Sequence, residues 1–447
     1  MILERDKEFY KKLIKIAIPI SLQTLLTLGI GLVDSFMVGR LGDNSLSAVA
    51  IANQFCIIFQ YIAMGLGNGG AVLTGQFYGG NNKRDIKHLV SYLYKISIIV
   101  ALMFMIVTMI FNENIMGLYS KDVEVTVMAV GYLKIMIPTF IIMAINTISC
   151  CWLRSIGVVN VSMVSAGISF VVKVVANYGL IFGGFGLKAL GVNGAAVATL
   201  VARSVECLII IIYVLKFEKH IKFTLQDLKG HDKRIARMFL KKGQPVLYSD
   251  MMIALGQNGI SMIMGNISTA LLASSSIVTT VVQISALLLI DISGAATTIS
   301  SNTIGAGKLD KAYSQGVTCA FISTVIGIIN GILIFCTKEW IVSFYNISPE
   351  AKALTIKLLS VISIVVVFSD IGITLAKGVL RGGGDTKYLM IIDVIFLWTV
   401  SIPLGYITGI YFKLDPWIVF VCMRLDEVIK CCVCIGRLKS KKWIKKI

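Results

Sequence analysis

Carboxylates inside long apolar stretches are the residues of this 447-residue chain that are best placed to do chemistry. A charge at the centre of a bilayer costs roughly 2.5–3.5 kcal/mol on insertion scales, so each such carboxylate needs a function or a partner. Asp34 lies before Arg40, roughly 9 Å inside its stretch if that stretch is a helix rising 1.5 Å per residue. Asn177 and Thr199, counted in the same way from the loop between them, lie roughly 10 and 12 Å deep.

These three polar residues are therefore expected to lie at one level on three helices of one lobe. A carboxylate, an amide and a hydroxyl together offer oxygen ligands that suit a proton or Na⁺, and buried ionisable groups often mark ion pathways. The alternative interpretation is that Asp34 stabilises a helix kink or hydrogen-bonds between helices without binding a cation.

The second half of the chain has its own buried acids. Asp370 lies before Arg381, roughly 16 Å from the end of its helix and so near the midplane, which makes it the best candidate cation or substrate site there. Three further candidates of the same half lie well inside apolar stretches, namely Asp250, Asp291 and Asp393.

Asp250 and Asp393 also have structural interpretations. Each could be a neutral protonated acid, a partner of Lys173 or Lys377, or a partner of a helix backbone. Other charged residues recur near helix ends with Arg and Glu three residues apart, a spacing that puts them on one helix face. We expect this last group to form structural ion pairs, and it consists of Arg203, Glu206, Arg424, Asp426, Glu427 and Lys430.

Large flexible and aromatic side chains could line an adaptable apolar cavity for flat ligands. The candidates are Phe36, Tyr61, Met64, Met262 and Trp398. Packing in the core or against lipid is the alternative for each of them.

The elements that must position these residues follow from composition. The chain is 56% hydrophobic and 15% charged, whereas a soluble protein has roughly 45–50% apolar and about 25% charged residues. A soluble multi-domain enzyme and a disordered chain are both excluded, and the chain has neither the metal nor the nucleophile cluster of a membrane enzyme. Twelve apolar stretches are long enough to span a bilayer as helices: Ile14–Val38, Leu46–Gly70, Leu89–Ile110, Val125–Trp152, Val161–Phe182, Val192–Leu215, Pro245–Gly265, Leu272–Ser300, Ser314–Phe335, Leu354–Leu380, Leu389–Tyr411 and Trp417–Ile435.

The net charge of +18 is best explained by topology. Most Lys and Arg residues fall in loops on the side of the amino terminus, which predicts a multi-pass protein of the cytoplasmic membrane with both termini cytoplasmic. Membrane lipid is thus an expected partner and nucleic acid is not.

Most of the ten cysteines lie inside apolar stretches. Because the single C-x-x-C pair has no second pair or histidine near it, we expect no metal and no other cofactor.

The chain repeats itself. Pro19 and Pro245 are separated by the same number of residues as Gly79 and Gly305. This predicts an all-α membrane protein with two six-helix lobes, 1–215 and 243–447, separated by a cytoplasmic connecting segment, 216–242. Six helices per lobe make the repeat parallel, with a pseudo-two-fold axis along the membrane normal. Gly65 with Gly69 and Gly75 with Gly79, each pair four residues apart, could also mark close helix contacts. Ordinary packing of small residues is the alternative interpretation.

Several motifs resemble those of the multidrug and toxic compound extrusion (MATE) family, from Lys12 to Trp443. They include PISLQTLLTLGIGLVDSFMVGRLG, NYGLIFGGFGLKALGVNGAAVATL and two pairs of repeated loop motifs, GQFYGGNNKRD with SNTIGAGKLDKA and LRSIGVVN with LRGGGDTK. The resemblance implies twelve helices, alternating access and export of organic cations in exchange for Na⁺ or H⁺. A lipid-linked-precursor flippase of the wider superfamily is the alternative, and the chain is expected to act as a monomer.

The resemblance also implies roles for individual residues. The aspartate central to ion coupling falls on Asp34, and its asparagine and threonine companions fall on Asn177 and Thr199. Some members have a carboxylate four residues after that asparagine, where this chain has Ile181.

In sodium-coupled members an acid of helix 10 falls on Asp370. Their helix-7 glutamate falls on Ile253, and Asp250, one turn earlier, is the residue that could replace it.

Overall fold

The computed structural model describes residues 3–120, 122–230, 232–345 and 347–446, and all regular elements in these ranges are helical. The helices of the first half are α1 Lys7–Gly39, α2 Asp43–Gly79, α3 Lys83–Tyr119, α4 Val123–Met136, α5 Thr139–Ser155, α6 Asn160–Phe182, α7 Val192–Ile212 and α8 Lys233–Lys242. Those of the second half are α9 Gln244–Ile267, α10 Thr269–Gly305, α11 Leu309–Ser343, α12 Pro349–Ile373, α13 Thr386–Ile395, α14 Ile402–Tyr406, α15 Pro416–Met423 and α16 Leu425–Lys439.

Shorter turns extend or connect these helices. Turns of π-helix follow α7, α12, α13 and α14, at Tyr213–Phe217, Thr374–Leu380, Phe396–Ser401 and Ile407–Tyr411. Turns of 3₁₀-helix lie at Gly184–Gly186 and Leu225–Lys229.

Most of the expected membrane spans are present as single helices. Within the described ranges, nine helices are long and apolar enough to cross a bilayer, and α4 with α5 makes a tenth span that is bent by 55°. Pro138 lies at the bend, between the end of α4 and the start of α5. It explains the bend, since proline has no N–H to donate and its ring kinks a helix.

The two remaining predicted spans are not long apolar helices. One is α9, which carries Asp250, Gln257 and Asn258. The other is divided at Arg424 into α15 and α16, of 8 and 15 residues. Polar residues in α9 and the short lengths of α15 and α16 therefore set these segments apart from the nine continuous spans.

The chain forms two compact units, called here the first and second lobe. The first lobe contains residues 18–74 and 82–240. The second contains the chain up to Ala17, Gly75–Asn81 and the chain from Lys241 onward. The connecting segment thus belongs almost entirely to the first lobe, and the second lobe includes the start of α1 and the end of α2.

Glycines allow the end of α2 to pack very closely against α10 within the second lobe. A Cβ atom on Gly79 would lie 2.0 Å from the backbone oxygen of Asn302, and one on Gly75 would lie 2.0 Å from the Ser301 hydroxyl. A Cβ atom on Gly305 would likewise lie 2.0 Å from the backbone oxygen of Gln76. The two glycines related by the sequence repeat therefore form opposite sides of one contact.

The residues after α16 fold back onto the loop between α12 and α13. Trp443 is fully buried and its indole N–H donates to the backbone oxygen of Leu438 at 3.2 Å. The backbone N–H of Lys445 donates to the Gly383 oxygen at 3.0 Å, and Asp385 is paired with Lys445 and with Arg437. This end of the chain is thus part of the second-lobe core.

Replacing Gly383 with alanine is expected to destabilise the second lobe. The new Cβ would lie 2.3 Å from the Trp443 ring and 2.6 Å from its backbone oxygen, and overpacking of this kind costs about 1–3 kcal/mol. Thermal unfolding of the purified protein in detergent measures the loss. Gly436→Ala on α16, where a Cβ meets open space, is the control, and equal effects of the two changes would contradict this account.

The connecting segment is held against α3 by charged groups. Lys87 Nζ lies 2.9 Å from Asp227 Oδ2, and Arg234 lies 2.6 Å from Asp85. The ammonium of Lys95 also donates to the backbone oxygen of Gly230 at 2.9 Å. The segment is therefore fixed to the end of one helix of the first lobe.

Asp227 makes this attachment pH-dependent. Burial raises its pKa, but hydrogen bonds from Lys87 and Thr224 outweigh that effect and hold the pKa of the carboxyl below its ordinary value of 3.8. A group whose pKa is lowered by folding contributes stability above its unfolded pKa and loses it as the pH falls.

Asp227→Asn should therefore lower the melting temperature at pH 7, by an amount corresponding to about 1 kcal/mol or less because the pair is partly exposed. The difference from wild type should persist down to the ordinary aspartate pKa of 3.8 and shrink as the pH falls below it, through the lowered pKa of the folded state. Melting curves over this pH range measure it, with Asp310→Asn at a fully exposed aspartate as the control. A difference that stays constant with pH would refute the assignment.

Candidate functional site

The three residues predicted at one level of the first lobe do meet. Asn177 Nδ2 on α6 donates to Asp34 Oδ1 on α1 at 2.7 Å. Thr199 on α7 belongs to the same cluster because it shares a neighbour, Lys173, with Asp34. The prediction that these three side chains lie at one level is therefore confirmed.

Lys173 on α6 lies in the middle of this cluster. Its ammonium is 3.0 Å from Asp34 Oδ2, donates to the Thr199 hydroxyl and contacts the backbone oxygen of Ala195 at 3.4 Å. The side chain is 1% exposed. The first-lobe carboxylate thus has a cation of the chain itself as its direct partner.

Lys173 is not the partner of Asp250 or Asp393. A pair with Lys173 was one of the structural alternatives for those two acids, whereas the structure pairs Lys173 with Asp34 in its own lobe. Lys173 precedes Asn177 by one helical turn and so shares its face, which is the sequence signal that would have placed it here. Helices α6 and α7 can approach closely because a Cβ on Gly194 would lie 2.3 Å from the backbone oxygen of Leu180.

Asp370 has a different environment in the second lobe. It lies on α12, is fully buried and accepts a hydrogen bond at Oδ2 from Asn330 Nδ2 on α11 at 3.1 Å. Its other oxygen, Oδ1, is buried and has no hydrogen-bond partner in the described part of the chain. This half-satisfied carboxylate has an open position for a proton or a cation.

Asn330 was not predicted, although a lone amide inside an apolar stretch is a detectable signal. Its amide also donates to the backbone oxygen of Ser285 at 3.1 Å, which fixes its orientation. A Cβ on Gly331 would lie 2.3 Å from the backbone oxygen of Ser363. Close packing of α11 on α12 therefore positions the amide against Asp370.

Asp250 and Asp393 are both ion-paired, but not with the lysines named in the sequence interpretation. Asp250 Oδ1 lies 3.1 Å from Arg381. Asp393 pairs with Lys430 and accepts a hydrogen bond from the Ser249 hydroxyl at 2.6 Å. Each carboxylate is thus compensated by a cation of the same lobe, unlike Asp370.

The Asp393–Lys430 pair borders a cavity of about 140 Å³ in the second lobe. Lys377, Asp426 and Glu427 supply further charges to its wall. The remaining lining residues include Ile253, which stands where the resemblance places a glutamate, together with Gln257, Phe396 and Leu397. Charges of both signs therefore face one small space.

Two of the predicted helix-face ion pairs are confirmed. Arg203 lies 3.2 Å from Glu206, and Arg424 lies 2.7 Å from Glu427. Asp291, the remaining candidate, is buried on α10.

The first lobe has an apolar cleft of about 560 Å³ between α1 and α6. Phe36 lines it and lies under the guanidinium of Arg40, 4.8 Å from the ring centre. The rest of its wall is formed by Leu32, Val33, Met37, Tyr178 and Phe182. Tyr61 and Met64, the other first-lobe candidates for an apolar cavity, are exposed and do not belong to this wall.

Asp250→Asn is expected to destabilise the protein, because it leaves the buried guanidinium of Arg381 without its carboxylate. Breaking a buried ion pair in this way costs about 3–5 kcal/mol. Thermal unfolding in detergent measures the effect against Asp415→Asn, an exposed aspartate. The neutral pair Asp250→Asn with Arg381→Met should recover part of the loss, and no recovery would argue against this pairing.

Comparisons with known proteins agree with this architecture. A family model described as MatE matches the chain twice, at residues 19–179 and 245–407. The chain is 24% identical to a probable multidrug resistance protein NorM of Thermotoga maritima, covering 99% of this chain and 95% of the relative. It is 23% identical to the multidrug resistance protein MdtK of Yersinia enterocolitica, covering 92% of each.

Solved structures share the fold. A crystal structure of a MATE protein in a bent conformation superposes with a TM-score of 0.89 at 18% identity, covering 97% of this chain and 96% of the other. An outward-facing multidrug resistance MATE transporter gives a TM-score of 0.87 at 18% identity, with the same coverage. The predicted all-α fold with a duplicated unit is therefore confirmed.

Proposed function

This chain belongs to the MatE family, whose members are membrane transporters and not enzymes, and from that premise we propose that it exports organic cations, including drugs, in exchange for Na⁺ or H⁺. Transport takes place by alternating access, in which the binding sites are open to one side of the membrane at a time and bind substrate and coupling ion in turn. The chain acts as a monomer and needs no cofactor besides the coupling ion.

The observation that carries the proposal is the state of Asp370. A fully buried carboxylate with one unpartnered oxygen is costly in hydrocarbon unless it binds a proton or a cation for part of the cycle. Na⁺, H⁺ and an organic cation all compensate the same negative charge, so they can compete for it. Competition at one charge is the simplest basis for exchange, because binding of one cation favours release of the other.

In the first lobe the cluster of Asp34, Asn177 and Thr199 is neutralised by Lys173, so it presents no net charge that would favour anionic cargo. The apolar cleft beside it can accept the hydrocarbon or aromatic part of an organic cation. In the second lobe Asp250, Asp291 and Asp393 belong to the charged surroundings of the site, with Asp250 and Asp393 held by their basic partners.

The energy required is available from an ion gradient. A tenfold concentration difference corresponds to about 1.4 kcal/mol. One coupling ion per monovalent substrate can thus maintain a substrate gradient as large as its own.

The proposed location is the cytoplasmic membrane, with both termini on the cytoplasmic side. The basic connecting segment and carboxyl terminus support this orientation. The names of the similar NorM and MdtK proteins refer to multidrug resistance, which supports drugs as substrates. A flippase for anionic lipid-linked precursors is disfavoured because the buried carboxylate of Asp370, which has an unpartnered oxygen, would repel an anionic headgroup.

Asp370→Asn should abolish the response of export to an ion gradient while leaving passive equilibration of substrate intact. The amide keeps the size of the side chain but cannot be ionised, so a coupling usually worth about 5–150-fold is lost. The assay follows a fluorescent organic cation in proteoliposomes under an imposed Na⁺ or pH gradient.

The matched control is Asp310→Asn, the same change at a fully exposed aspartate of the second lobe. Unchanged gradient dependence in Asp370→Asn would refute Asp370 as a coupling residue. Absence of gradient-driven flux in the wild type, with a panel of organic cations, would refute cation antiport itself.

A further inference from the structure

We propose that Lys173 is a tethered cation that occupies the cation position of the first lobe, so that no free Na⁺ or H⁺ binds at Asp34 while the pair is intact. The inference rests on the proposed antiport and assigns the exchangeable ion to the second lobe. It also makes Lys173 a residue that decides how many ions are exchanged.

The hydrogen bonding of the ammonium is the first argument. A lysine ammonium has three N–H donors and no acceptor. Three oxygens surround Lys173 Nζ, namely the Asp34 carboxylate at 3.0 Å, the Thr199 hydroxyl and the Ala195 carbonyl at 3.4 Å. A carboxylate, a hydroxyl and a carbonyl are also the oxygen ligands that a Na⁺ ion would use. The ammonium thus stands where the ion would be bound.

The surrounding oxygens are occupied as well. The Thr199 hydroxyl donates its proton to Ala195 at 2.8 Å, which leaves its lone pairs to accept from Lys173. Asp34 Oδ1 accepts from Asn177 at 2.7 Å, and Asp34 Oδ2 faces the ammonium. Both carboxylate oxygens are therefore engaged, in contrast to the unpartnered Oδ1 of Asp370.

The charge balance of the cluster is the second argument. Asp34 and Lys173 cancel each other, and Arg203 farther along α7 is balanced by Glu206 at 3.2 Å. The other polar groups near the pair are neutral, and they are Asn53 on α2, Tyr132 on α4, and Asn177 and Thr199 themselves. A further monovalent cation would be repelled by the buried ammonium with no negative charge left to hold it.

The test compares the number of cations bound by purified full-length variants. Radioactive Na⁺ is measured by equilibrium binding, and bound protons are measured from the infrared band of protonated carboxyl groups. The variant Asp34→Asn with Lys173→Met removes both charges of the pair. It should bind as many cations as the wild type, and one cation fewer would overturn the inference.

Lys173→Met alone gives the converse test. Asp34 then loses its fixed counter-ion, so this variant should bind one cation more than the wild type, as Na⁺ or as a proton, and lose it again in the double variant. An unchanged number would overturn the inference. Lys188→Met at an exposed lysine is the matched control, and if Lys173→Met fails to fold, the neutral double variant carries the test.

The counts need no transported substrate, so they are independent of the proposed function. If Asp370→Asn bound as many cations as the wild type, the second-lobe assignment would fail, but the comparison at Asp34 would still stand.

Discussion

Charge is expensive in the hydrocarbon of a bilayer, and this constraint determines how the polar side chains of the two lobes are arranged. Within the described helices, the pairs Asp34–Lys173, Asp250–Arg381 and Asp393–Lys430 each join two different helices. A buried ion pair adds little stability compared with apolar packing, but the loss of one partner is costly. The pairs therefore act mainly by fixing which helix faces meet.

Against this background the two lobes are chemically unequal although they descend from one repeated unit. The first-lobe carboxylate is neutralised by a lysine of the neighbouring helix. The second-lobe carboxylate, Asp370, accepts a hydrogen bond from an amide and forms no ion pair with the residues that the structure describes. Duplication thus preserved the helices and their order, while the compensation of charge became different on the two sides. In the proposed mechanism the first lobe keeps a cation of the chain itself and the second lobe binds the exchangeable one.

The sequence was sufficient to predict how deep the polar side chains lie in the membrane, but it did not identify their ion-pair partners. A fixed rise per residue placed Asp34, Asn177 and Thr199 at one level, and it singled out Asp370 as the deepest acid of the second half. Choosing a partner also requires the rotation of each helix and the reach of a long side chain. For that reason the sequence did not identify Asp34 as the partner of Lys173, and the basic partners of Asp250 and Asp393 became visible only in the folded chain. Likewise, counting helices from the sequence places Gly75–Asn81 in the first lobe. In the structure this segment belongs to the second lobe because it packs against α10.

A positive charge that belongs to the chain has a consequence for the bioenergetics of the cycle. With a single exchangeable ion, the return of one monovalent cation for each monovalent cation exported moves no net charge across the membrane. The electrical potential, worth about 2.3 kcal/mol per charge at 100 mV, then neither drives nor opposes export. Such a transporter continues to work in a depolarised cell as long as the concentration gradient of its ion persists, and it stops when that gradient is lost.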